Sequence, residues 1–237
     1  MKTFKLTIAT ILAIMILNAG CKKDKNEKNK PNCRIITISA SPSGTMYNYT
    51  YNSDGTVSTM SIGNDVTTYA YSGNTVIGTS KISGVFNTKK IITLNSNGLA
   101  SNVKTEYTIT GTTWDNTAYD YNGTELIKST FTSSTVGTPL IITLTWNNGN
   151  LISFGSGGSV TNVEYFMDKP AQLGDYFSID ELQQGVRKFK IKNAVKSMSS
   201  GPNVISFDYS FDNDGKISSM KISGASNSTD TYQHQCN

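Results

Sequence analysis

One stretch occurs twice in this chain and decides what it can fold into. Residues 47–62 read Tyr-Asn-Tyr-Thr-Tyr-Asn-Ser-Asp-Gly-Thr-Val-Ser-Thr-Met-Ser-Ile, and residues 207–222 read Phe-Asp-Tyr-Ser-Phe-Asp-Asn-Asp-Gly-Lys-Ile-Ser-Ser-Met-Lys-Ile. The aromatics alternate with polar residues, so they share one face of a strand. Asn-x-Asp-Gly, or Asp-x-Asp-Gly, then predicts a tight turn with Gly55 or Gly215 at positive φ, in a hairpin with a bulge. The return strand places Val57, Met60 and Ile62, or Ile217, Met220 and Ile222, on the same face. Weaker copies lie between, at Tyr69–Val76, Ile92–Leu99, Tyr119–Leu126 and Leu144–Leu151. The turn glycines Gly55, Gly73, Gly98, Gly123 and Gly149 are spaced 18, 25, 25 and 26 apart. One hairpin per unit predicts an all-β antiparallel meander of about ten or more strands.

Leu140, Ile142, Leu144 and Trp146 fall on one face of their segment; Ile141, Thr143 and Thr145 fall on the other. So long a meander must close or fold over, or its edges would pair with other chains. Faces of Thr and Ser suit lipid poorly, whereas a membrane-spanning barrel needs an apolar outer band. The expectation is a soluble barrel or strongly curved sheet with its apolar face inward.

Residues 1–20 read as a signal peptide. Lys2 and Lys5 precede an apolar run, Leu6–Leu17, that is too short to span a bilayer as a helix. Leu17-Asn18-Ala19-Gly20-Cys21 resembles a bacterial lipobox, which implies lipidation at Cys21 and a membrane anchor there. Residues 21–32 are charged and lack apolar side chains, as a disordered tether does. Residues 1–30 hold seven of the 21 Lys and Arg and two of the 17 Asp and Glu, leaving 14 basic against 15 acidic residues beyond them. The basic balance of the whole chain therefore belongs to the leader, and the remainder lacks the basic excess that nucleic-acid binding needs. Of the three cysteines, Cys21 is taken by the lipid. Cys33 and Cys236, at the two ends of a single domain over 33–237, are expected to form a disulfide in an oxidising compartment.

One segment departs from the two-residue period. Ser178-Ile-Asp-Glu181 has the form of a capping box and Gly185 that of a helix stop, which predicts a short helix burying Ile179 and Leu182. Val186–Val195 reads as a returning strand with Lys188, Lys190 and Lys192 on one face.

The Tyr-x-Tyr-(Asn/Asp)-x-x-Gly units, the lipobox and Cys236 together resemble a Bacteroidota lipoprotein domain family of unknown function with a porin-like fold. The resemblance spans roughly residues 33–237. It implies a barrel-like antiparallel sheet in an outer-membrane lipoprotein, periplasmic or surface-exposed. It carries no catalytic residues.

Candidate chemistry is sparse. His234 is the only histidine, and no Gly-x-Ser-x-Gly elbow accompanies it. Gly155–Ser159 reads as a flexible loop. An EF-hand count on Gly215 puts Lys221 where Glu is required. Asp115, Asp120, Glu125 and Glu164 have no spacing that pairs them as glycosidase acids. Trp114, Tyr119, Tyr121 and Trp146 are candidates for an aromatic platform that binds a glycan or peptide, against simple cross-strand packing. The expectation is a lipid-anchored, non-enzymatic envelope protein, monomeric, without metal or cofactor, that binds a glycan, peptide, lipid or envelope protein. The alternatives are a structural or assembly component of the outer membrane without a small ligand and, third, a hydrolase.

Overall fold

The computed structural model describes residues 33–224 and 227–236. The signal peptide, Cys21 and the tether lie outside the described residues. The first half forms strands β1 Cys33–Ser41, β2 Thr45–Tyr51, β3 Val57–Ile62, β4 Asp65–Ser72, β5 Thr75–Ile82, β6 Val85–Leu94, β7 Ala100–Glu106 and β8 Trp114–Asn122. The second forms β9 Glu125–Ser133, β10 Leu140–Asn147, β11 Asn150–Ser156, β12 Ser159–Pro170, β13 Asn193–Ser200, β14 Asn203–Phe211, β15 Ile217–Ser223 and β16 Ser228–Cys236. Each strand pairs with its sequence neighbours, and β16 lies beside β1, so the sheet closes into a 16-strand barrel. Among the described residues a single helix, α1 Tyr176–Gln184, interrupts the meander between β12 and β13.

The two strong sequence copies fold in the same register. Tyr47, Tyr49 and Tyr51 oppose Ile62, Met60 and Val57. Phe207, Tyr209 and Phe211 oppose Ile222, Met220 and Ile217. In both, one strand carries a bulge next to the turn. Gly55 and Gly215 have φ of 92° and 76°, where a side chain would be strained. The turn N–H groups bond back alike, Gly55 to the Asn52 carbonyl and Gly215 to the Asp212 carbonyl, both at 3.0 Å.

Alternation sets the inside and the outside. On β2 the three tyrosines turn inward while Met46, Asn48 and Thr50 are exposed. On β10, Ile142, Leu144 and Trp146 are sheltered while Ile141, Thr143 and Thr145 are exposed. The core is the lumen itself, with Ile35, Ile92, Leu151, Phe207 and Ile217 fully buried. Each contributes roughly 1.5–3 kcal/mol by leaving water. The outer face carries mainly Thr, Ser and Asn, interspersed with exposed aliphatics such as Ile77 and Val160. A membrane-spanning barrel alternates the other way, polar inside and apolar outside.

Antiparallel order fixes which end each connection occupies. The 52–56, 73–74, 95–99, 123–124, 148–149 and 212–216 turns, the start of β1 and the end of β16 all fall at one end, together with the 171–192 excursion. The other end carries short turns and the longer 107–113 and 134–139 loops. Cys33 and Cys236 are both disulfide-bonded. With three cysteines in the chain, two bonded cysteines can only be bonded to each other.

Three sequence expectations are corrected. The helix cap is Asp175, not Ser178: its carboxylate accepts from the Ser178 N–H at 2.9 Å. Ser178 is already inside the first turn, and its hydroxyl donates to the Asp175 carbonyl. Val186–Lys192 is not a strand, because β13 begins only at Asn193. The Lys188–Lys192 alternation arises in an irregular segment tied down from both sides. There the Lys192 N–H reaches the Gly149 carbonyl and the Ala100 N–H reaches the Arg187 carbonyl, each at 2.9 Å. Gly155–Ser159 is not a loop: Gly157-Gly158 is a two-residue hairpin turn between β11 and β12.

Candidate functional site: a plugged lumen

The 171–192 segment enters the barrel end and closes it. Ile179 and Leu182 are buried in the same core as the strands, as their spacing predicts. The inward tyrosines hold the segment from the wall. Tyr69 donates to the Gln183 carbonyl at 2.8 Å and Tyr71 to the Gly185 carbonyl at 2.9 Å. Tyr121 lies between the Ala100 carbonyl at 2.6 Å and the Lys188 carbonyl at 2.8 Å. Helix carbonyls left over at a C-terminus need such donors. Tyr69, Tyr71 and Tyr121 of the Tyr-x-Tyr units thus dock the plug, whereas Tyr51 donates to the Ile35 carbonyl of the wall.

A run of aromatic rings crosses the lumen. Trp146 meets Phe189 edge-on at 5.6 Å, Phe189 meets Phe177 at 5.2 Å, Phe177 meets Tyr176 at 5.3 Å, and Tyr176 meets Phe207 at 4.7 Å. Each such pair adds about 0.5–1.5 kcal/mol beyond its buried area. Charged groups of the plug are also matched. Lys188 pairs with Asp180, and Arg187 with Glu181 at 3.0 Å. Lys90, a lumenal lysine on β6, donates to the Gln184 side-chain amide, and burial depresses its pKa. Burial also raises the carboxyls of the plug, Asp175 to about 6 and Glu181 to about 7, against the pull of hydrogen bonds and of Arg187.

Above the plug lies a cavity of about 520 Å³, open to solvent. Tyr176, Ile179, Asp180 and Gln183 form its floor. They are spaced as one helical face. Its walls are largely apolar, with Leu126, Ile142, Leu144, Phe154 and Ile222 among them. This is the size and character of a small-molecule pocket. Asp230 also faces it, from the rung that joins β15 to β16 through Met220.

The four aromatics singled out from sequence separate. Tyr119 lines the cavity. Tyr121 and Trp146 face inward but are engaged, Trp146 through its indole N–H, which donates to the Leu126 carbonyl at 2.8 Å. Trp114 opposes Glu106 across β7 and β8, beneath the Lys104 ammonium at 5.8 Å. Its position alternates with the inward Thr117 and Tyr119 and so falls on the outer face. No platform of the four exists, because odd and even positions of β8 point opposite ways. His234 has a buried Nε2 without a hydrogen-bond partner, and burial lowers its pKa. Asp115 accepts from Tyr107, and Asp120 pairs with Lys128 on the outside. Glu164 accepts from Ser197 on the neighbouring strand. Among the described residues no group of His, Cys, Asp and Glu is arranged to hold a metal.

Asp230 and Lys90 were missed in the sequence, although a signal was there. Asp230 shares the parity of Tyr232 and His234, and Lys90 that of Ile92 and Leu94. A charge on the apolar face of a strand is the mark to look for.

Fold and lumen define a closed antiparallel barrel with one end stoppered by its own chain. Solved structures share the overall fold. A porin-like protein from Bacteroides uniformis superposes with a TM-score of 0.64 at 15% identity, over 85% of this chain and 96% of that one. A porin-like protein from Bacteroides vulgatus gives a TM-score of 0.56 at 13% identity, over 84% and 98%. At such identities the likeness is one of fold. No protein-family model and no curated protein matches the chain.

Proposed function

We propose that this barrel is a lipid-anchored envelope protein that binds an apolar small molecule in its lumen and performs no catalysis. The observation that carries the reading is the cavity of about 520 Å³ above the plug. Its apolar walls sit inside a barrel whose outer face is mostly hydroxyl and amide side chains. An apolar lumen favours retention of an apolar guest rather than flow of ions and water, which a polar channel serves. The leader, the lipobox at Cys21 and the likeness to Bacteroides porin-like proteins support an outer-membrane address and kinship with the Bacteroidota lipoprotein domain family. Trp114, Tyr119, Tyr121 and Trp146 do not together bind the guest in this reading; Tyr119 alone does.

The test is uptake of N-phenyl-1-naphthylamine, a neutral probe that brightens in apolar surroundings. The barrel without its leader is expected to bind it saturably, and Leu144→Trp and Ser129→Trp, which fill the cavity from two strands, to abolish the signal. A folded barrel that takes up no probe, or one whose uptake survives both substitutions, overturns the reading in favour of a purely structural envelope component.

A further inference from the structure

We infer that the lumen selects a guest bearing a positive charge, an amphiphilic ammonium whose head group pairs with Asp230 while its apolar tail fills the cavity. This rests on the lumenal reading above and narrows it to a chemical class.

Three charged side chains line the cavity: Asp180, Lys188 and Asp230. Asp180 and Lys188 neutralise each other in an ion pair. The neighbouring lumenal lysine, Lys90, is held by the Gln184 amide. Asp230 has no ion pair and no hydrogen bond among the described residues. It is the cross-strand partner of Met220, beside which it lines the cavity, and burial raises its pKa. A half-buried carboxylate without a partner is costly, and its natural complement is a cation.

A second observation points the same way. Tyr49, Tyr209 and Tyr232 are 3%, 9% and 7% exposed, and the hydroxyl of each is buried without a hydrogen-bond partner. Native proteins leave few such groups orphaned, and each calls for a missing partner. Tyr232 shares the inward face of β16 with Asp230, and Tyr209 lies on the same cross-strand row through Met220. Tyr49 and Tyr232 both feel the Asp230 charge, and Tyr232 feels Tyr49 and Tyr209. The backbone N–H of Tyr176 approaches the Tyr209 oxygen, yet no bond of ordinary geometry reaches it. An ammonium offers up to three N–H donors. One satisfies the carboxylate, and water in the open cavity accepts the others. The rings of Tyr119 and Tyr176, which line the cavity, add to the attraction for a cation. An anionic guest meets an uncompensated carboxylate, while Lys188 is already paired with Asp180 and Lys90 stands outside the cavity lining.

The experiment compares dodecylammonium, dodecanol and dodecanoate as competitors of N-phenyl-1-naphthylamine at pH 7.5. Dodecylammonium is expected to bind at least about tenfold more tightly than either chain-matched competitor. Asp230→Asn is expected to remove that preference without lowering the thermal midpoint, because it discharges a carboxylate that has no partner. Equal binding of ammonium and alcohol, tighter binding of dodecanoate, or an ammonium preference that survives Asp230→Asn overturns the inference and leaves the lumenal reading intact. Failure of all three competitors to displace the probe overturns both. Should Asp230→Asn fold poorly, Asp230→Glu is the second variant: it keeps the charge and is expected to keep the preference, whereas loss of preference with charge retained overturns the inference.

Discussion

Tyrosine hydroxyls divide into two populations in this barrel, and the division has measurable consequences. Those of Tyr69 and Tyr71 cap plug carbonyls; those of Tyr49 and Tyr232 have no partner. Removing a donor from a buried carbonyl costs the desolvation of the orphan left behind. Tyr69→Phe is therefore expected to lower the unfolding free energy by about 1–2 kcal/mol. Tyr49→Phe removes an unsatisfied hydroxyl and is expected to be neutral or stabilising. Urea unfolding of the two variants side by side checks the contrast; equal losses would mean that the hydroxyls are not distinguished by their partners. Glycines divide in a similar way. Gly185 has φ of 72°, and a Cβ there would lie 2.6 Å from the Tyr69 ring. Gly123 has φ of 63° and open space around it. Gly123→Ala should cost about 1–2 kcal/mol for the backbone alone, and Gly185→Ala clearly more, because the ring must also move. The sequence marks both as turn or cap glycines. It contains nothing that tells which one abuts a tyrosine more than a hundred residues away.

At the scale of elements, the plug behaves differently from the wall. Burial holds Asp175 at about 6 and Glu181 at about 7, above the values of an unfolded chain. The folded form therefore binds more protons than the unfolded form between about pH 4 and 7. Stability is greatest below that window and declines as pH rises through it, the reverse of the usual carboxylate. The urea midpoint is expected to fall between pH 5 and 8, by about 1 kcal/mol or more in free energy, and Glu181→Gln to flatten the slope. A midpoint that rises over this range would show that the Glu181–Arg187 pair outweighs burial. The hairpins are legible because local rules suffice for them: alternation, an Asx-x-x-Gly turn, and a bulge beside it. The plug is only half legible. Its helix and its two buried side chains follow from spacing. Its cap is misplaced by one turn because Asp175 and Ser178 both suit the position. The segment after it passes for a strand because its alternation of Lys with Phe189 and Ile191 is set by docking against the lumen, not by a pleat.

At the scale of the molecule, closure is the property that no single segment announces. The sequence specifies a meander too long to stay open, and leaves barrel and curved sheet equally possible. The pairing of first and last strands decides it. The Cys33–Cys236 disulfide is expected to reinforce that seam. Restricting so long an unfolded loop contributes about 5 kcal/mol in the chain-entropy picture. Reduction, or the double Cys→Ser variant, is expected to lower the unfolding free energy by about 3–5 kcal/mol without changing the far-ultraviolet spectrum at low temperature. An unchanged denaturation midpoint would mean that strand pairing alone fastens the seam. The candidate site is the least legible level, since a lumen gathers residues from distant strands and only register brings Tyr49, Tyr209 and Asp230 together. A ring, finally, has no first member. Since the two termini of the barrel meet at adjacent staves, a permuted gene that splices them and starts afresh at Gly158 would encode the same circle cut elsewhere, and its product is expected to assemble with its stopper in place.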